Sequence, residues 1–196
     1  ININEDIVFK SIKANDPIFI DDGRIKLNAL KVSNNTIEAK VISKGIIKSN
    51  KGINLPNTIL KSSALTSKDK ENIKIGTDLG IDWIALSFIQ SPKDIEELRK
   101  LCKKNISIMA KIERPSALKH IKKITELADG LMIARGDLGV ELPIQDVPGW
   151  QKKIIREARV QGKPVVVSTQ MLESMVNSST PTRAEVSDVA TAVFEG

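Results

Sequence analysis

Short apolar runs recur in the first quarter of the chain, and turn-forming residues separate them. Runs of this length, bounded by Asn, Asp and Gly, are typical of β-strands. Asp21-Asp22-Gly23 and Ser33-Asn34-Asn35 are signals for hairpin turns. The pattern predicts a small, compact all-β domain over residues 1–56, with strands over residues 7–9, 17–20, 25–32 and 36–42 and a weaker one near 45–48.

From Thr66 onward, apolar positions with helical spacing alternate with short apolar strands. Thr66 and Asp69 form a capping box that begins one helix, and Ser91-Pro92 supplies an N-cap and a first-turn proline for the next. Strands are predicted over residues 83–88, 106–113, 131–135 and 164–169. Helices are predicted over residues 66–76, from Ser91 through Cys102, through the apolar positions of 117–128, over 149–161, and from Thr180-Pro181 to Gly196.

The alternating strands and helices predict a parallel sheet with right-handed crossovers. An open doubly wound sheet and a (β/α)8 barrel both fit this pattern. Polar residues at the ends of several successive strands favour the barrel. A complete barrel needs about 250 residues, so the four strands within residues 57–196 form at most part of one.

Two of the predicted strands end in charged residues. In residues 106–113 the aliphatic side chains share one face, and Lys111 and Glu113 share the other. The later strand ends in Arg135-Gly136-Asp137. Two carboxylates and a lysine at the carboxyl ends of parallel strands suit a hard divalent cation and an anionic substrate. For Glu113 or Asp137 taken alone, helix capping is about as good an explanation as metal binding, because helix starts also favour Asp and Glu.

Composition narrows the class of protein further. The 196 residues are 41% hydrophobic and 28% charged, as in a soluble globular protein of one or two domains. The net charge of +6 favours anionic ligands, although only 3% aromatic residues leave few platforms for stacking nucleic-acid bases. The single Cys102 suits a reducing compartment, and no apolar run approaches ~20 residues, the length of a membrane span. We therefore expect a cytoplasmic protein outside the membrane and, without an initiator Met, part of a longer chain.

Seven motifs resemble those of the pyruvate kinase family and follow the same order. They are IDDG at residues 20–23, NKGINLP at 50–56, IALSF at 84–88, KIE at 111–113, LMIARGDLGVE at 131–141, STQMLESM at 168–175 and PTRAEVSDVA at 181–190. The last three together are very specific. The resemblance implies the fold class α/β: a partial TIM (β/α)8 barrel over residues 57–196, and a small inserted all-β barrel lid domain over residues 1–56, both incomplete.

The same resemblance assigns roles at the two charged strand ends. Glu113 and Asp137 resemble the carboxylates that hold the catalytic divalent cation. Lys111 resembles the catalytic, substrate-binding lysine that neutralises the phosphoryl group in transfer and the enolate left behind. For Arg135, at the end of the second strand, we expect a structural pairing role.

Further roles implied by the resemblance concern the substrate and the nucleotide. The backbone N–H groups of Gly136 and Asp137 resemble the site for the phosphoenolpyruvate carboxylate, as at other helix N-termini. Thr169 resembles the hydroxyl that is implicated in protonating the enolate. Lys51 and Asp22 resemble nucleotide-binding residues of the lid, although on their own they fit a solvated loop lysine and a turn residue.

The resemblance implies transfer of the phosphoryl group of phosphoenolpyruvate to ADP, which gives pyruvate and ATP in glycolysis. It also implies Mg²⁺ or Mn²⁺ as cofactor, and K⁺ whose ligands lie outside this chain. The expected partners are phosphoenolpyruvate and ADP or ATP, with a homotetramer for the full-length protein and neither nucleic acid nor membrane. Because part of the barrel has no counterpart, we expect this chain alone to be inactive.

Two other functions fit some of these features. A metal-dependent aldolase or lyase acting on a pyruvate enolate uses a similar pair of carboxylates, but the all-β domain and Lys51 argue against it. A basic β module that binds nucleic acid suits the charge, but the low aromatic content and the charged strand ends argue against it.

Overall fold

The computed structural model describes residues 3, 6–56, 58–59 and 63–195. The chain divides into two compact units. The first comprises Ile1–Ser63 with Val140–Leu142, and the second comprises Ala64–Gly139 with Pro143–Gly196. Within the described ranges, no helix has the length and apolar character needed to cross a membrane.

The first unit is built on an antiparallel four-stranded sheet. Its strands are β1 (Pro17–Ile20), β2 (Ile25–Ser33), β3 (Thr36–Ser43) and β4 (Ile53–Asn54), in the order β3-β2-β1-β4. All three residues of the Asp21-Asp22-Gly23 turn have positive φ angles, of 54°, 54° and 78°. Positive φ angles are typical of a tight connection between antiparallel strands. Aliphatic side chains from both sides of that turn, including Ile20 and Ile25, form the core.

Two predicted strands of this unit are wrong. Residues 7–9 lie in helix α1 (Asp6–Ser11), because Val8 and Ile12, four residues apart, both turn into the core. Asp6 in the first turn also complements the helix dipole. Residues 45–48 form no strand: Ile46 is 82% exposed, and β4 pairs with β1 instead.

The second unit contains a parallel four-stranded sheet in sequence order. Its strands are β5 (Trp83–Leu86), β6 (Ser107–Ile112), β7 (Gly130–Ala134) and β8 (Val165–Ser168), and every neighbouring pair is parallel. The predicted βα order is confirmed. The helices are α2 (Ser67–Asp78), α3 (Pro92–Leu101), α4 (Pro115–Leu118), α5 (Ile121–Leu127), α6 (Arg135–Glu141), α7 (Val147–Val160) and α8 (Arg183–Phe194), with 3₁₀ turns at Ile144–Asp146 and Glu173–Val176.

Alternation along β6 decides which side chains reach the site. Ile108, Ala110 and Ile112 are fully buried, and α3 packs against this strand. Lys111 therefore points from the opposite face, because successive side chains of a strand alternate. Burial of the aliphatic face fixes the register, since a slip of one residue would move every aliphatic side chain out of the core.

Several element boundaries differ from the prediction for local reasons. Strand β5 ends at Leu86, since Phe88 has a φ of 54°. The helix predicted through residues 117–128 is two helices, α4 and α5, interrupted near His120, whose backbone is not helical. Helix α8 is capped by Thr182 rather than Thr180, because Thr182 forms a capping box with Glu185. The predicted stop at Gly196 lies outside the described residues.

Glu185 joins the start of α8 to the preceding 3₁₀ turn. Its carboxylate accepts hydrogen bonds from the backbone N–H of Ser174 (2.7 Å) and of Thr182 (2.8 Å), and from both hydroxyl groups. These bonds, from Ser174 first and then Thr182, lower the pKa of Glu185 from an ordinary 4.5 to about 2. The charged carboxylate therefore stabilises the folded state.

We expect Glu185→Gln to weaken the dependence of stability on acid. A carboxyl group with a depressed pKa in the folded state contributes its full stabilisation above pH 4.5, and loses it as pH falls from 4.5 towards 2. The thermal midpoint of the variant should be lower than wild type at neutral pH and should fall less steeply in acid. Glu71→Gln, at an exposed position of α2, is the control. If the thermal midpoints of wild type and Glu185→Gln fell in parallel as the pH was lowered, the depressed pKa of Glu185 would be contradicted.

Candidate active site

Lys111 and Glu113 meet at the carboxyl end of β6. Lys111 Nζ lies 2.7 Å from Glu113 Oε1 and donates a hydrogen bond to Ser87 Oγ at 2.9 Å. Glu113 is 1% exposed, whereas the Lys111 side chain is 25% exposed. A buried carboxylate needs both a counter-charge and hydrogen bonds, and the ammonium group supplies the counter-charge. The pair therefore combines the partly exposed side chain of Lys111 with the buried carboxylate of Glu113.

The other oxygen of Glu113 is held by the loop after β5. Phe88 donates its backbone N–H to Glu113 Oε2 at 2.6 Å. Phe88 has a φ of 54°, a left-handed conformation that is uncommon for a bulky residue. The Arg114 guanidinium lies over the Phe88 ring, 5.5 Å from its centre. Strain at such a position persists only where the surroundings fix it, and here the buried carboxylate does so.

Gly136 and Thr169 bring the ends of β7 and β8 together. The Gly136 N–H donates to Thr169 Oγ1 at 2.8 Å. A Cβ atom at position 136 would lie 3.2 Å from the same oxygen, so this close approach favours glycine. The backbone N–H that is predicted to bind an anion therefore already has a hydroxyl partner, and an arriving carboxylate would exchange with or join that hydrogen bond.

Arg135, next to Gly136 in the chain, is buried and binds the backbone of the segment that carries Thr169. Its Nε and Nη2 donate to the Thr169 carbonyl oxygen at 3.1 and 2.8 Å, and Nη2 also donates to the Gln170 carbonyl at 2.9 Å. Its Nη1 lies 2.6 and 2.8 Å from the two carboxylate oxygens of Asp188. The pairing role expected for Arg135 agrees with this arrangement.

The predicted metal ligands lie at the ends of two adjacent parallel strands. Glu113 follows β6, and Asp137 lies half-buried in the first turn of α6, directly after β7. Among the residues that the structure describes, no group of three or more His, Cys, Asp or Glu side chains is arranged to hold a metal ion. Two carboxylates nevertheless fit Mg²⁺, which usually binds one or two carboxylates and completes its shell with water and substrate phosphates.

In the first unit, Lys51 pairs with Asp21. Lys51 Nζ lies 2.7 Å from Asp21 Oδ1, and this hydrogen bond is the main reason that the pKa of Asp21 is lowered. The Asp21 backbone N–H also donates to the Gly52 carbonyl at 3.1 Å. The neighbouring Asp22 is exposed in the same turn. Lys51 is therefore held by an acid that was not among the predicted site residues.

Ser87, Asp21 and Asp188 were missed as members of these clusters. Each lies within a motif, but nothing in the local pattern distinguishes it from a turn or helix residue. Ser87 lies 24 residues from its partner Lys111, and Asp188 lies 53 residues from Arg135. Only the folded chain brings these groups together.

Known proteins similar to this chain agree on one family. The family model "Pyruvate kinase, barrel domain" matches residues 1–196. Pyruvate kinases from Agrobacterium vitis and Methylorubrum extorquens are 53% and 50% identical, and in each case the match covers 96% of this chain and 40% of the relative. The crystal structure of a pyruvate kinase from Cryptosporidium parvum has a TM-score of 0.91 at 35% identity, over 97% of this chain and 41% of that chain.

The chain belongs to the pyruvate kinase family. Its second unit is accordingly part of a TIM (β/α)8 barrel, and its first unit is a small domain built mainly on the antiparallel sheet, with helix α1 beside it. The chain spans about two fifths of the length of the curated relatives it matches, 40% in each of the two above.

Proposed function

We propose that this chain is part of a pyruvate kinase, an enzyme that transfers the phosphoryl group of phosphoenolpyruvate to ADP and gives pyruvate and ATP. The observation that carries the proposal is the pairing of Lys111 with the buried Glu113 at a barrel strand end. In barrel enzymes the catalytic groups lie at that end of the strands. Membership of the pyruvate kinase family supports this reaction over the aldolase and nucleic-acid alternatives.

Lys111 is proposed to neutralise negative charge that forms during the reaction. As the bond between the enolate oxygen and phosphorus breaks, charge develops on that oxygen and spreads over the phosphoryl oxygens. An ammonium group that Ser87 and Glu113 already hold in place stabilises this charge without reorganising. The Lys111 side chain is one-quarter exposed, and its ammonium group has three N–H donors for the two partners Ser87 and Glu113, so one donor can serve an anionic substrate.

Glu113 and Asp137 are proposed to hold Mg²⁺ or Mn²⁺. The bound ion would act as a Lewis acid on substrate oxygens and add positive charge next to that of Lys111. The carboxylate of Glu113 fits this role because its position is fixed from two sides, by Lys111 and by the Phe88 N–H. K⁺, the second cation expected for the family, has no ligand proposed in this chain.

Gly136, Asp137 and Thr169 are proposed to bind the carboxylate of phosphoenolpyruvate and to complete the reaction. Backbone N–H groups at the start of α6 would orient the carboxylate, beside the Thr169 hydroxyl. That hydroxyl would then assist protonation of the enolate carbon, either directly or through a bound water. Lys111 is proposed to contact the same substrate through its phosphoryl group.

Residues 1–56 are proposed to form the lid domain, in which Lys51 and Asp22 contact the nucleotide. The ammonium group of Lys51 suits a phosphate, and its pairing with Asp21 holds it at a fixed position in the loop. A cytoplasmic location and a homotetrameric assembly of the longer protein follow from the same proposal.

The proposal is tested by incubating the protein that carries this chain with phosphoenolpyruvate, Mg²⁺, K⁺ and ADP, and measuring pyruvate and ATP separately. We expect equal amounts of both products, and none when ADP or Mg²⁺ is omitted. Pyruvate formed from a hydroxy acid by carbon–carbon cleavage, with no nucleotide required, would favour the aldolase instead. The 196-residue chain alone should be inactive in the same assay.

A further inference from the structure

Three residues after β8 have backbone conformations that are costly for their types. Thr169, Gln170 and Leu172 have φ angles of 67°, 52° and 53°. The left-handed region is uncommon for residues other than glycine, and a β-branched residue such as Thr169 is an outlier there. Such strain persists only when neighbouring groups over-determine the conformation. The contacts that hold this segment therefore decide where the Thr169 hydroxyl lies.

Arg135 supplies those contacts through one guanidinium group. Three of its hydrogen bonds, of 2.8 to 3.1 Å, end on the carbonyl oxygens of Thr169 and Gln170. Both carbonyl orientations depend on the left-handed backbone. The side chain of Arg135 is only 9% exposed, so water does not readily replace these bonds.

Asp188 fixes the orientation of the guanidinium group. Both its carboxylate oxygens accept from Nη1, at 2.6 and 2.8 Å, and it also compensates the buried charge. The planar fork of arginine can donate to a carboxylate on one side and to two carbonyl groups on the other, whereas lysine offers a single ammonium point. Lysine at position 135 would keep the charge but lose this geometry.

We propose that Arg135, oriented by Asp188, is a positioning residue: it holds Thr169 in its left-handed conformation and so places the Thr169 hydroxyl beside the Gly136 N–H. The proposal rests on the function above, in which Thr169 and Gly136 face the substrate. It adds to that function a residue that contacts neither substrate nor metal and acts through the backbone of Thr169.

The first test does not depend on activity. Arg135→Lys should speed hydrogen exchange at the Gly136 amide at least tenfold, because the hydroxyl that accepts this N–H would shift. Arg99→Lys is the matched control, since Arg99 also bridges a carboxylate, Asp129, and a backbone carbonyl, that of Ile106, at the opposite end of the sheet. Unchanged Gly136 exchange in Arg135→Lys, or equal acceleration in Arg99→Lys, would overturn the proposal.

The second test uses steady-state kinetics. Arg135→Lys and Asp188→Asn should each lower kcat at least tenfold while KM for phosphoenolpyruvate changes less than threefold, and Arg99→Lys should leave kcat within twofold. In a Thr169→Ala background, Arg135→Lys should lower kcat by less than a further threefold. Independent, multiplying effects of the two substitutions would overturn the proposal.

A wild-type protein that forms no pyruvate and ATP would refute the proposed function, and the exchange experiment would still decide the role of Arg135.

Discussion

Replacing Lys111 with methionine should lower kcat by about 10³-fold, which corresponds to about 4 kcal/mol of lost transition-state stabilisation. Methionine is close to lysine in length and removes only the ammonium group that pairs with Glu113 at 2.7 Å. The charge that develops as phosphorus leaves the enolate oxygen would then lack this fixed counter-charge. Pyruvate formation under saturating phosphoenolpyruvate, ADP and Mg²⁺ measures the effect.

The control for this experiment separates catalysis from general loss of charge. Lys103→Met removes another lysine that faces an acid, Asp78 at 3.8 Å, but on the exposed surface. Its kcat should stay within twofold of wild type. Lys111→Met should still bind Mn²⁺, because both proposed ligands remain. Turnover of Lys111→Met near the wild-type level would remove Lys111 from the mechanism.

Glu113→Ala should weaken Mn²⁺ binding by at least 100-fold and lower the free energy of unfolding by about 3 kcal/mol. The substitution removes a carboxylate that is 1% exposed, and leaves Lys111 without its counter-charge and the Phe88 N–H without its acceptor. The stability loss is at the lower end of the range for broken buried pairs, because Lys111 is partly solvated. Titration with Mn²⁺ and urea unfolding measure the two effects.

A second lysine–glutamate pair provides the comparison. Lys123 and Glu126 are also 2.7 Å apart, but both side chains are exposed. Glu126→Ala should leave Mn²⁺ binding unchanged and alter stability far less, because exposed ion pairs contribute little. If Glu113→Ala and Glu126→Ala lowered the free energy of unfolding equally, burial of Glu113 would not explain how much that residue contributes to stability.

The local pattern of apolar and polar residues was sufficient to predict most strands of the two sheets. The strand of residues 17–20 is found at the predicted positions, and the four parallel strands occur in the predicted order. Residues 7–9 were misassigned because a three-residue apolar run has no distinct period, and only packing of Val8 and Ile12 on the core shows the helix. Thr182 was missed as the α8 cap because Thr180-Pro181 offers a similar local signal.

The cluster at the end of β6 could be predicted only in part. Period-two alternation along residues 106–113 predicted that Lys111 and Glu113 share a face, since the aliphatic residues that alternate with that face must be buried. Ser87 and the Phe88 N–H join this cluster because of the turn after β5. Phe88 lies 25 residues from Glu113, so no local pattern connects the two.

Local periodicity was enough to predict the parallel βα order and three of the four strands of the first unit. Residue types placed the charged residues at the strand ends, and the resemblance to the family rested on its motifs. Long-range contacts decided the left-handed backbone at Phe88 and Thr169, the partner of Lys51, and the bridge from Arg135 to Asp188 across 53 residues. The reason is that buried charges and carbonyl groups must find partners, and those partners are distant in sequence.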